Sequence, residues 1–169
     1  MRLVVQRVTR ASVRTDNELL GEIGRGAAVL VGIGHDDDPA TADRMADRLH
    51  GLRYFQDADG RVNLPAEAVG AAYLVVSQFT LYADVRRGRR PGFTDAAAPE
   101  VAEILVNRFV ERLRSAGATV ASGQFGAEMA VELVNDGPFT LVIDSDEPGG
   151  GAGAHRRMDA SAGSRSGGG

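Results

Sequence analysis

The residues best suited to chemistry lie in the stretch SQFTLYAD, residues 77–84, which directly follows the apolar run AAYLVV. Hydroxyl and amide groups at the end of a buried strand need hydrogen-bond partners. Ser77, Gln78 and Thr80, together with nearby backbone N–H groups, could present donors to a substrate carbonyl, as an oxyanion hole does. The alternative is an ordinary strand end that a local Ser/Thr turn closes.

A hydroxyl nucleophile in this stretch would need a base to accept its proton. No G-x-S-x-G turn surrounds Ser77, and no histidine lies near it in the sequence. His35 and His50 are distant in sequence and could approach in space, but neither is flanked by obvious site residues. If the site cleaves an ester, the attacking group therefore comes from the substrate or from water.

Several cofactor and metal chemistries are excluded by composition. All 19 basic residues are arginine, so Schiff-base catalysis and a Walker-type phosphate loop are excluded. The absence of cysteine excludes a thiolate nucleophile and a thiolate metal site. The three histidines show no ligand spacing. We therefore predict no cofactor and no metal.

Two further segments have unusual sequences. RRGRRPGF, residues 86–93, has four arginines in five positions on a chain whose net charge is −4. It is either a solvated charged loop or a contact for phosphate, which suits the arginine fork.

NDGP, residues 135–138, joins two strand-like runs although proline cannot donate a ladder hydrogen bond. It is either a plain loop or a rigid backbone corner, with a cis Gly137-Pro138 bond, that faces a ligand.

The elements that must position these segments form a mixed pattern. Apolar alternation and short apolar runs predict strands at residues 3–8, 11–15, 19–23, 27–33, 71–76, 127–134 and 139–143. Asp38 and Pro39 predict the start of a helix with Met45, Leu49 and Leu52 on one stripe. A second helix is predicted from Pro99 to just before Gly117, with one apolar face made of Val101, Leu105, Phe109 and Leu113. The expected fold class is α+β, with a mixed, largely antiparallel sheet curling into a barrel and two main helices.

Length and composition predict one domain, residues 1–146, followed by a disordered tail, residues 147–169, that is rich in Gly, Ala and Ser. No run approaches the roughly 18 apolar residues of a membrane span, and charges interrupt every apolar run near the start. We therefore expect a cytoplasmic protein that does not contact membranes.

Five motifs in their order along the chain resemble the D-aminoacyl-tRNA deacylase family, also called D-tyrosyl-tRNA deacylase. They are QRVTRASV at 6–13, GEIG at 21–24, SQFTL at 77–81, RRPGF at 89–93 and NDGPFT at 135–140. The resemblance covers residues 1–145. It implies hydrolysis of the ester that links a D-amino acid, or glycine, to the 3′ end of tRNA, and proofreading that spares L-aminoacyl-tRNA. It also implies a homodimer with each active site at the subunit interface.

The resemblance further implies a role for individual residues. Ser77, Gln78, Phe79 and Thr80 would face Gly137-Pro138 of the partner subunit, with the 2′-hydroxyl of the terminal adenosine assisting and backbone amides near Phe79 and Thr80 placing the ester. Arg7 would brace that corner, and Asn135 would contribute to substrate binding and rejection of the L-substrate. Phe125 and Met129 would bind the substrate by flanking the terminal adenine. The arginines expected to contact tRNA are Arg86, Arg87, Arg89 and Arg90.

Two positions depart from the family pattern, and two other functions remain open. Phe139 stands where the family usually has valine, and Gly92 stands where serine is common, so specificity details are affected more than activity. One alternative is a dimeric esterase for a small molecule, which would cleave a simple ester without RNA. The other is a non-catalytic RNA-binding module, which the net charge of −4 disfavours.

Overall fold

The computed structural model describes residues 1–86 and 88–145. Arg87 and the predicted tail, residues 147–169, lie outside the described residues, as does the predicted domain boundary at residue 146. The described strands are β1 (Arg2–Arg14), β2 (Leu19–Ile23), β3 (Gly26–Gly32), β4 (Arg53–Gln56), β5 (Val62–Pro65), β6 (Ala72–Ser77), β7 (Val120–Ser122) and β8 (Ala130–Asp144). The described helices are α1 (Pro39–Gly51) and α2 (Pro99–Ser115).

Strand β1 organises a six-stranded mixed sheet that is nearly closed into a barrel. It pairs antiparallel with β2, β3 and β8, whereas β3–β6 and β6–β7 are parallel. Strands β4 and β5 form a separate antiparallel ribbon. The α+β class and the largely antiparallel barrel are thus confirmed for the described residues.

Two strand boundaries differ from the sequence prediction. The two predicted strands 3–8 and 11–15 fall in the single strand β1, apart from Thr15, which lies just beyond its end. β3 pairs with the first half of β1, β2 pairs with its last residues, and β8 runs along both parts. The two predicted strands 127–134 and 139–143 likewise fall in the single strand β8, apart from residues 127–129, which precede it. The predictions were wrong because exposed polar residues interrupt the apolar pattern without ending the ladder of hydrogen bonds.

Both helices begin where the sequence predicted. Asp38 caps α1, since its carboxylate accepts a hydrogen bond from the Thr41 amide at 2.7 Å, and Pro39 follows. On α2 the buried stripe comprises Leu105, Phe109 and Leu113. The inclusion of Val101 was wrong, because this side chain is 46% exposed and the buried face of α2 begins at Leu105.

The two helices are joined by a pair of bidentate ion pairs on their outer faces. Arg108 contacts Asp43 at 2.8 and 2.6 Å, and Arg112 contacts Asp47 at 2.7 and 2.8 Å. The hydrogen bonds from these arginines lower the pKa of both carboxyl groups. Beneath them, apolar side chains of both helices pack on the sheet around fully buried Tyr73 and Phe109.

Candidate active site

The SQFT segment turns sharply at the end of a buried parallel strand. β6 ends at Ser77, and residues Phe79–Tyr82 form a single 3₁₀ turn. The Gln78 amide donates to the Val31 carbonyl at 2.7 Å, which continues the β3–β6 ladder by one residue. The next two amides, of Phe79 and Thr80, have no acceptor among the described residues. Because the first amides of a helical turn lack partners within the turn, this geometry presents two adjacent N–H donors.

Two glycines at the end of β3 allow the 3₁₀ turn to lie close to the sheet. A Cβ atom on Gly32 would come within 3.0 Å of the Leu81 Cβ, and one on Gly34 within 2.9 Å of the Tyr82 ring. Such distances leave no space for a side chain. The two glycines of the sequence GIG, at the end of the apolar run of β3, are therefore the local reason that the turn can lie there.

A cavity of about 550 Å³ opens beside this turn. Ser77, Gln78 and Phe79 line it together with Phe125 and Met129, which the resemblance had assigned to the terminal adenine. The other lining residues are apolar or small: Val31, Ile33, Val76, Phe93, Ala96, Ala97, Pro99, Ala102, Val106, Gly126, Ala127 and Val131. A flat aromatic group would therefore find an apolar slot with polar atoms at one end.

The cavity contains no acid–base side chain among the described residues that line it. His35 is exposed and contacts the Thr94 carbonyl, and His50 lies beside the Tyr73 ring with its Nδ1 atom buried. Thr80 does not line the cavity; its exposed hydroxyl accepts a hydrogen bond from the Gln78 Nε2 atom at 2.5 Å. None of these groups is placed to take a proton inside the cavity.

The NDGP segment forms a corner inside β8 and not a loop between two strands. Asn135 pairs with Val8 and Thr140 pairs with Gln6, so the four residues 136–139 stand opposite Arg7 alone. The Gly137-Pro138 peptide bond is cis, and Gly137 has a φ of +145°. A Cβ atom at Gly137 would lie 2.9 Å from the Phe139 amide nitrogen. Glycine is therefore required here for both conformation and space.

Arg7 and Asn135 hold this corner. The Arg7 guanidinium donates to the Asp136 carbonyl at 3.0 Å and to the Tyr54 carbonyl at 2.8 Å, and it lies over the Phe139 ring at 4.7 Å. The Asn135 carboxamide accepts from the Phe139 amide at 2.6 Å. Arg7 is only 4% exposed, so its position is fixed by packing as well as by hydrogen bonds.

The corner and the SQFT turn do not meet within one chain. Gly137 and Pro138 are exposed and do not line the cavity that Ser77, Gln78 and Phe79 line. The predicted site residues thus fall into two clusters, each with an exposed backbone edge.

The arginine loop, residues 86–93, lies beside the cavity, and backbone hydrogen bonds close it where its two ends meet. Asp84 and Gly92 exchange two backbone hydrogen bonds of 2.8 and 2.9 Å. Arg86 forms a bidentate ion pair with Asp84, and its hydrogen bonds lower the pKa of that carboxyl to about 2. Arg89 and Arg90 are exposed, with no ion pair to any residue in the described ranges, and Arg87 lies outside those ranges.

Sequence reasoning missed several residues of this region. Phe93 packs edge-on against Phe79 with ring centroids 4.9 Å apart, and both line the cavity. Phe139 lies between Arg7 and the Tyr54 ring, which is stacked on it at 6.4 Å. Both phenylalanines belong to motifs of the sequence analysis, RRPGF and NDGPFT. A large aromatic residue within an otherwise polar motif was the feature that could have indicated them. Arg2, which donates to the Leu81 carbonyl of the 3₁₀ turn at 2.6 Å, was also missed, because nothing in its surrounding sequence distinguishes it.

Neither a metal cluster nor a membrane helix occurs in the part of the chain that the structure describes. No group of three or more His, Cys, Asp or Glu side chains there could hold a metal ion. No helix there is long and apolar enough to cross a membrane.

Comparisons with known proteins converge on one family. The model of the family described as D-Tyr-tRNA(Tyr) deacylase matches residues 4–144. A D-aminoacyl-tRNA deacylase of Symbiobacterium thermophilum is 55% identical over 87% of this chain and 97% of its own length. A D-aminoacyl-tRNA deacylase of Thermotoga petrophila is 50% identical over 87% of this chain and 99% of its own.

Solved structures show the same fold. The c-Myc DNA unwinding element binding protein superposes with a TM-score of 0.80 at 39% identity, covering 85% of this chain and 98% of that one. A probable eukaryotic D-amino acid tRNA deacylase superposes with a TM-score of 0.72 over 84% of this chain and 97% of its own. The second is 21% identical, and its likeness shows the fold alone.

Proposed function

Because the chain belongs to the D-Tyr-tRNA(Tyr) deacylase family, we propose that it hydrolyses the ester bond of D-aminoacyl-tRNA and releases free tRNA and a D-amino acid. The observation that carries this function is the pair of unpartnered amides of Phe79 and Thr80 in the turn beside an apolar cavity, which Phe79 lines. This arrangement suits an ester whose leaving group is a nucleoside.

The terminal adenine occupies the cavity between Phe125 and Met129. An aromatic ring and a thioether are suitable surfaces for an unpaired base. The adenosine then directs its 3′ ester towards Ser77, Gln78 and the 3₁₀ turn. Substrate binding is thus mainly apolar inside the cavity and polar at its mouth.

Hydrolysis proceeds without a covalent intermediate on the protein. Water attacks the ester carbonyl carbon, and the carbonyl oxygen becomes an oxyanion that accepts hydrogen bonds from the Phe79 and Thr80 amides. The bond to the 3′ oxygen then breaks, and that oxygen receives a proton. Since the cavity-lining residues supply no base, the adenosine 2′-hydroxyl assists the proton transfer. Catalysis consists of positioning and electrostatic stabilisation.

Rejection of the L-substrate requires a second copy of the chain. We place the Gly137-Pro138 corner of the partner subunit against the SQFT turn, so that a main-chain carbonyl of this Gly-cisPro corner occupies the space of an L side chain. A main-chain group held by Arg7 and Asn135 cannot rotate aside, and Gly137 adds no side chain of its own. A D side chain points elsewhere and glycine has none, so glycine mischarged on tRNA is also a substrate.

The edge of the sheet supports a homodimer with the active site at the subunit interface. Among the residues that the structure describes, β8 pairs with β1 alone, so within them its other edge is open to a second chain. On this strand Val131, Val134 and Val142 are exposed, the last by 68%. Exposed valines beside an exposed backbone corner are typical of a surface that another protein covers.

The arginine loop contacts the tRNA backbone. Arg89 and Arg90 are exposed cations near the cavity mouth, and together with Arg86 and Arg87 they would face phosphates. Such contacts position the tRNA and carry no information about the chirality of the amino acid. The proposed role in the cell is proofreading in the cytoplasm, where aminoacyl-tRNA is used.

The function is tested by incubating the protein with matched D- and L-aminoacyl-tRNA and measuring the release of each amino acid. We expect release from D-aminoacyl-tRNA and glycyl-tRNA and retention of the L ester. Equal rates on D and L esters would contradict the proposed filter. Turnover of a simple ester at a similar rate without RNA would favour the small-molecule esterase.

A further inference from the structure

Arg2 makes an unusual set of contacts with the 3₁₀ turn. Its Nη1 atom donates to the Leu81 carbonyl at 2.6 Å, and its guanidinium lies over the Tyr82 ring at 4.9 Å. Leu81 and Tyr82 are the last two residues of the turn whose first two amides face the substrate in the proposed function. Arg2 therefore contacts the end of the turn that lies opposite those amides.

The orientation of Arg2 is set in turn by a carboxylate from the end of β8. The Asp144 Oδ2 atom accepts from both the Arg2 Nε and Nη2 atoms, at 2.9 and 2.8 Å, so two nitrogens of the guanidinium share one carboxylate oxygen. Both side chains are partly buried, at 37% and 18% exposure. Because Nε and Nη2 both face Asp144, Nη1 is the nitrogen left to donate to the Leu81 carbonyl. Asp144, Arg2 and Leu81 thus form a fixed chain of contacts from β8 through β1 to the turn.

The turn needs such support because it is short. A single 3₁₀ turn has poorer hydrogen-bond geometry than an α-helix, and its last carbonyls have no partner within the turn. At this turn the hydrogen bond from the Leu81 amide to the Gln78 carbonyl is long, at 3.3 Å. A cation that binds a terminal carbonyl stabilises the end of a helical segment. Since the segment is one turn long, a shift at its end also moves the amides at its start.

We propose that Arg2, oriented by Asp144, is a positioning residue that fixes the amides of Phe79 and Thr80 for stabilisation of the oxyanion. This inference rests on the proposed function. It assigns no substrate contact to Arg2. Because catalysis without a protein nucleophile depends on the placement of these donors, a displacement of their turn lowers kcat while the adenine cavity still binds the nucleoside.

The test compares Arg2→Met, Arg2→Lys and Asp144→Asn with the wild-type protein on D-aminoacyl-tRNA. We expect Arg2→Met to lower kcat by about tenfold with less than a twofold change in KM, since misplacement of about 1 Å can cost roughly a hundredfold. Asp144→Asn should lower kcat less. Arg2→Lys should recover part of the loss, because an ammonium group can reach the carbonyl but lacks the planar fork that also pairs with Asp144.

Arg108→Met is the matched control. It removes another arginine–aspartate ion pair, which lies between the outer faces of the two helices. This variant should keep the wild-type kcat whatever its effect on Tm. If Arg2→Met lowers Tm but leaves kcat at the wild-type value, Arg2 has only a structural role and the proposal is wrong.

A measurement independent of activity separates this proposal from the proposed function. The ¹⁵N–¹H resonances of Phe79 and Thr80 should shift in Arg2→Met and Asp144→Asn and stay in place in Arg108→Met. Unchanged amide resonances in Arg2→Met would overturn the positioning role even if the wild-type protein proves active. Shifted resonances in a protein that does not hydrolyse D-aminoacyl-tRNA would contradict the proposed function alone.

Discussion

The 3₁₀ turn at residues 79–82 and the Gly137-Pro138 corner are held by two arginines of strand β1 in closely similar ways. Arg2 donates to the Leu81 carbonyl and lies over Tyr82, while Arg7 donates to the Asp136 carbonyl and lies over Phe139. Each arginine also forms an ion pair with an aspartate of β8, the closest nitrogen–oxygen distances being 2.8 and 3.4 Å. In both places a charged side chain, and not a run of regular hydrogen bonds, fixes an irregular piece of main chain.

The turn and the corner differ in the burial of the arginine that holds them and in the backbone groups that they expose. The turn at residues 79–82 offers N–H donors and is held by a partly exposed arginine, whereas the corner at 136–139 is held by an arginine that is 4% exposed. A buried guanidinium with several acceptors cannot be removed without leaving those acceptors unsatisfied. The comparison indicates that the corner proposed to exclude L-substrates is the more rigid of the two.

The largest effect is expected from Gly137→Ala. The new Cβ atom would lie 2.9 Å from the Phe139 amide nitrogen and 3.2 Å from the Arg7 Nη2 atom, at a φ of +145° that L-residues rarely adopt. The corner must therefore move. We expect kcat/KM for D-aminoacyl-tRNA to fall about a hundredfold, in line with the cost of a small misplacement, and the D/L ratio to fall as well.

Gly60→Ala is a suitable control for this experiment. Gly60 also has a positive φ, of 76°, but a Cβ atom there meets nothing within 4 Å and the residue lies in the turn between β4 and β5. This variant should lose some stability and keep both its activity and its D/L ratio. A Gly137→Ala protein with wild-type kinetics would refute the assigned role of the corner.

Arg7→Met tests the difference in burial through stability. The substitution leaves the Tyr54 and Asp136 carbonyls without their donor, at about 1–3 kcal/mol for each unsatisfied buried group. We expect the free energy of unfolding, measured in urea, to fall by about 3 kcal/mol. The fall should exceed that of Arg2→Met, because Arg2 is more exposed.

Arg10→Met provides the reference for that measurement. Arg10 lies on the same strand but is exposed, so its replacement should change the free energy of unfolding by less than about 0.5 kcal/mol. If Arg7→Met is as stable as Arg10→Met, the buried contacts of Arg7 do not hold the corner.

A smaller effect is expected at the arginine loop, which lies outside both the 3₁₀ turn and the Gly137-Pro138 corner. Replacing Arg89 and Arg90 by alanine should weaken tRNA binding and reduce the slope of log K against log salt by roughly 1.5. Arg86→Ala should change the slope less, because Asp84 already pairs with this arginine. The D/L ratio should not change in either variant.

The control for the loop is the double variant Arg44→Ala and Arg61→Ala, which removes the same charge from exposed positions elsewhere. It should keep the wild-type salt slope. Equal slopes in the loop variant and the control would argue against a phosphate contact at this loop.

The smallest effect is expected from Thr80→Ala. The Thr80 hydroxyl accepts from Gln78 and does not line the cavity, so the backbone amide at this position can remain in place without it. We expect kcat to stay within about tenfold of wild type, while a tRNA ending in 2′-deoxyadenosine loses far more. Complete loss of activity in a folded, tRNA-binding Thr80→Ala protein would indicate a covalent mechanism.

The sequence was informative where local chemistry decides the structure. Asp38 and Pro39 located a helix start, and the polar residues after the β6 run marked the mouth of a cavity. The short strands β4, β5 and β7 were missed, because three or four residues carry too little periodicity to be distinguished from loops. The roles of Arg2 and Arg7 depend on contacts across 79 and 129 residues of sequence, which no local pattern encodes.

The ion pairs between α1 and α2 fix how far one helix can slide along the other. Asp43 and Asp47 are four residues apart, as are Arg108 and Arg112, so both pairs form in a single alignment. A slip of one helical turn, about 5.4 Å, would keep one pair and separate the other two charges. The two pairs thus distinguish the observed register of α1 and α2 from the registers one turn away.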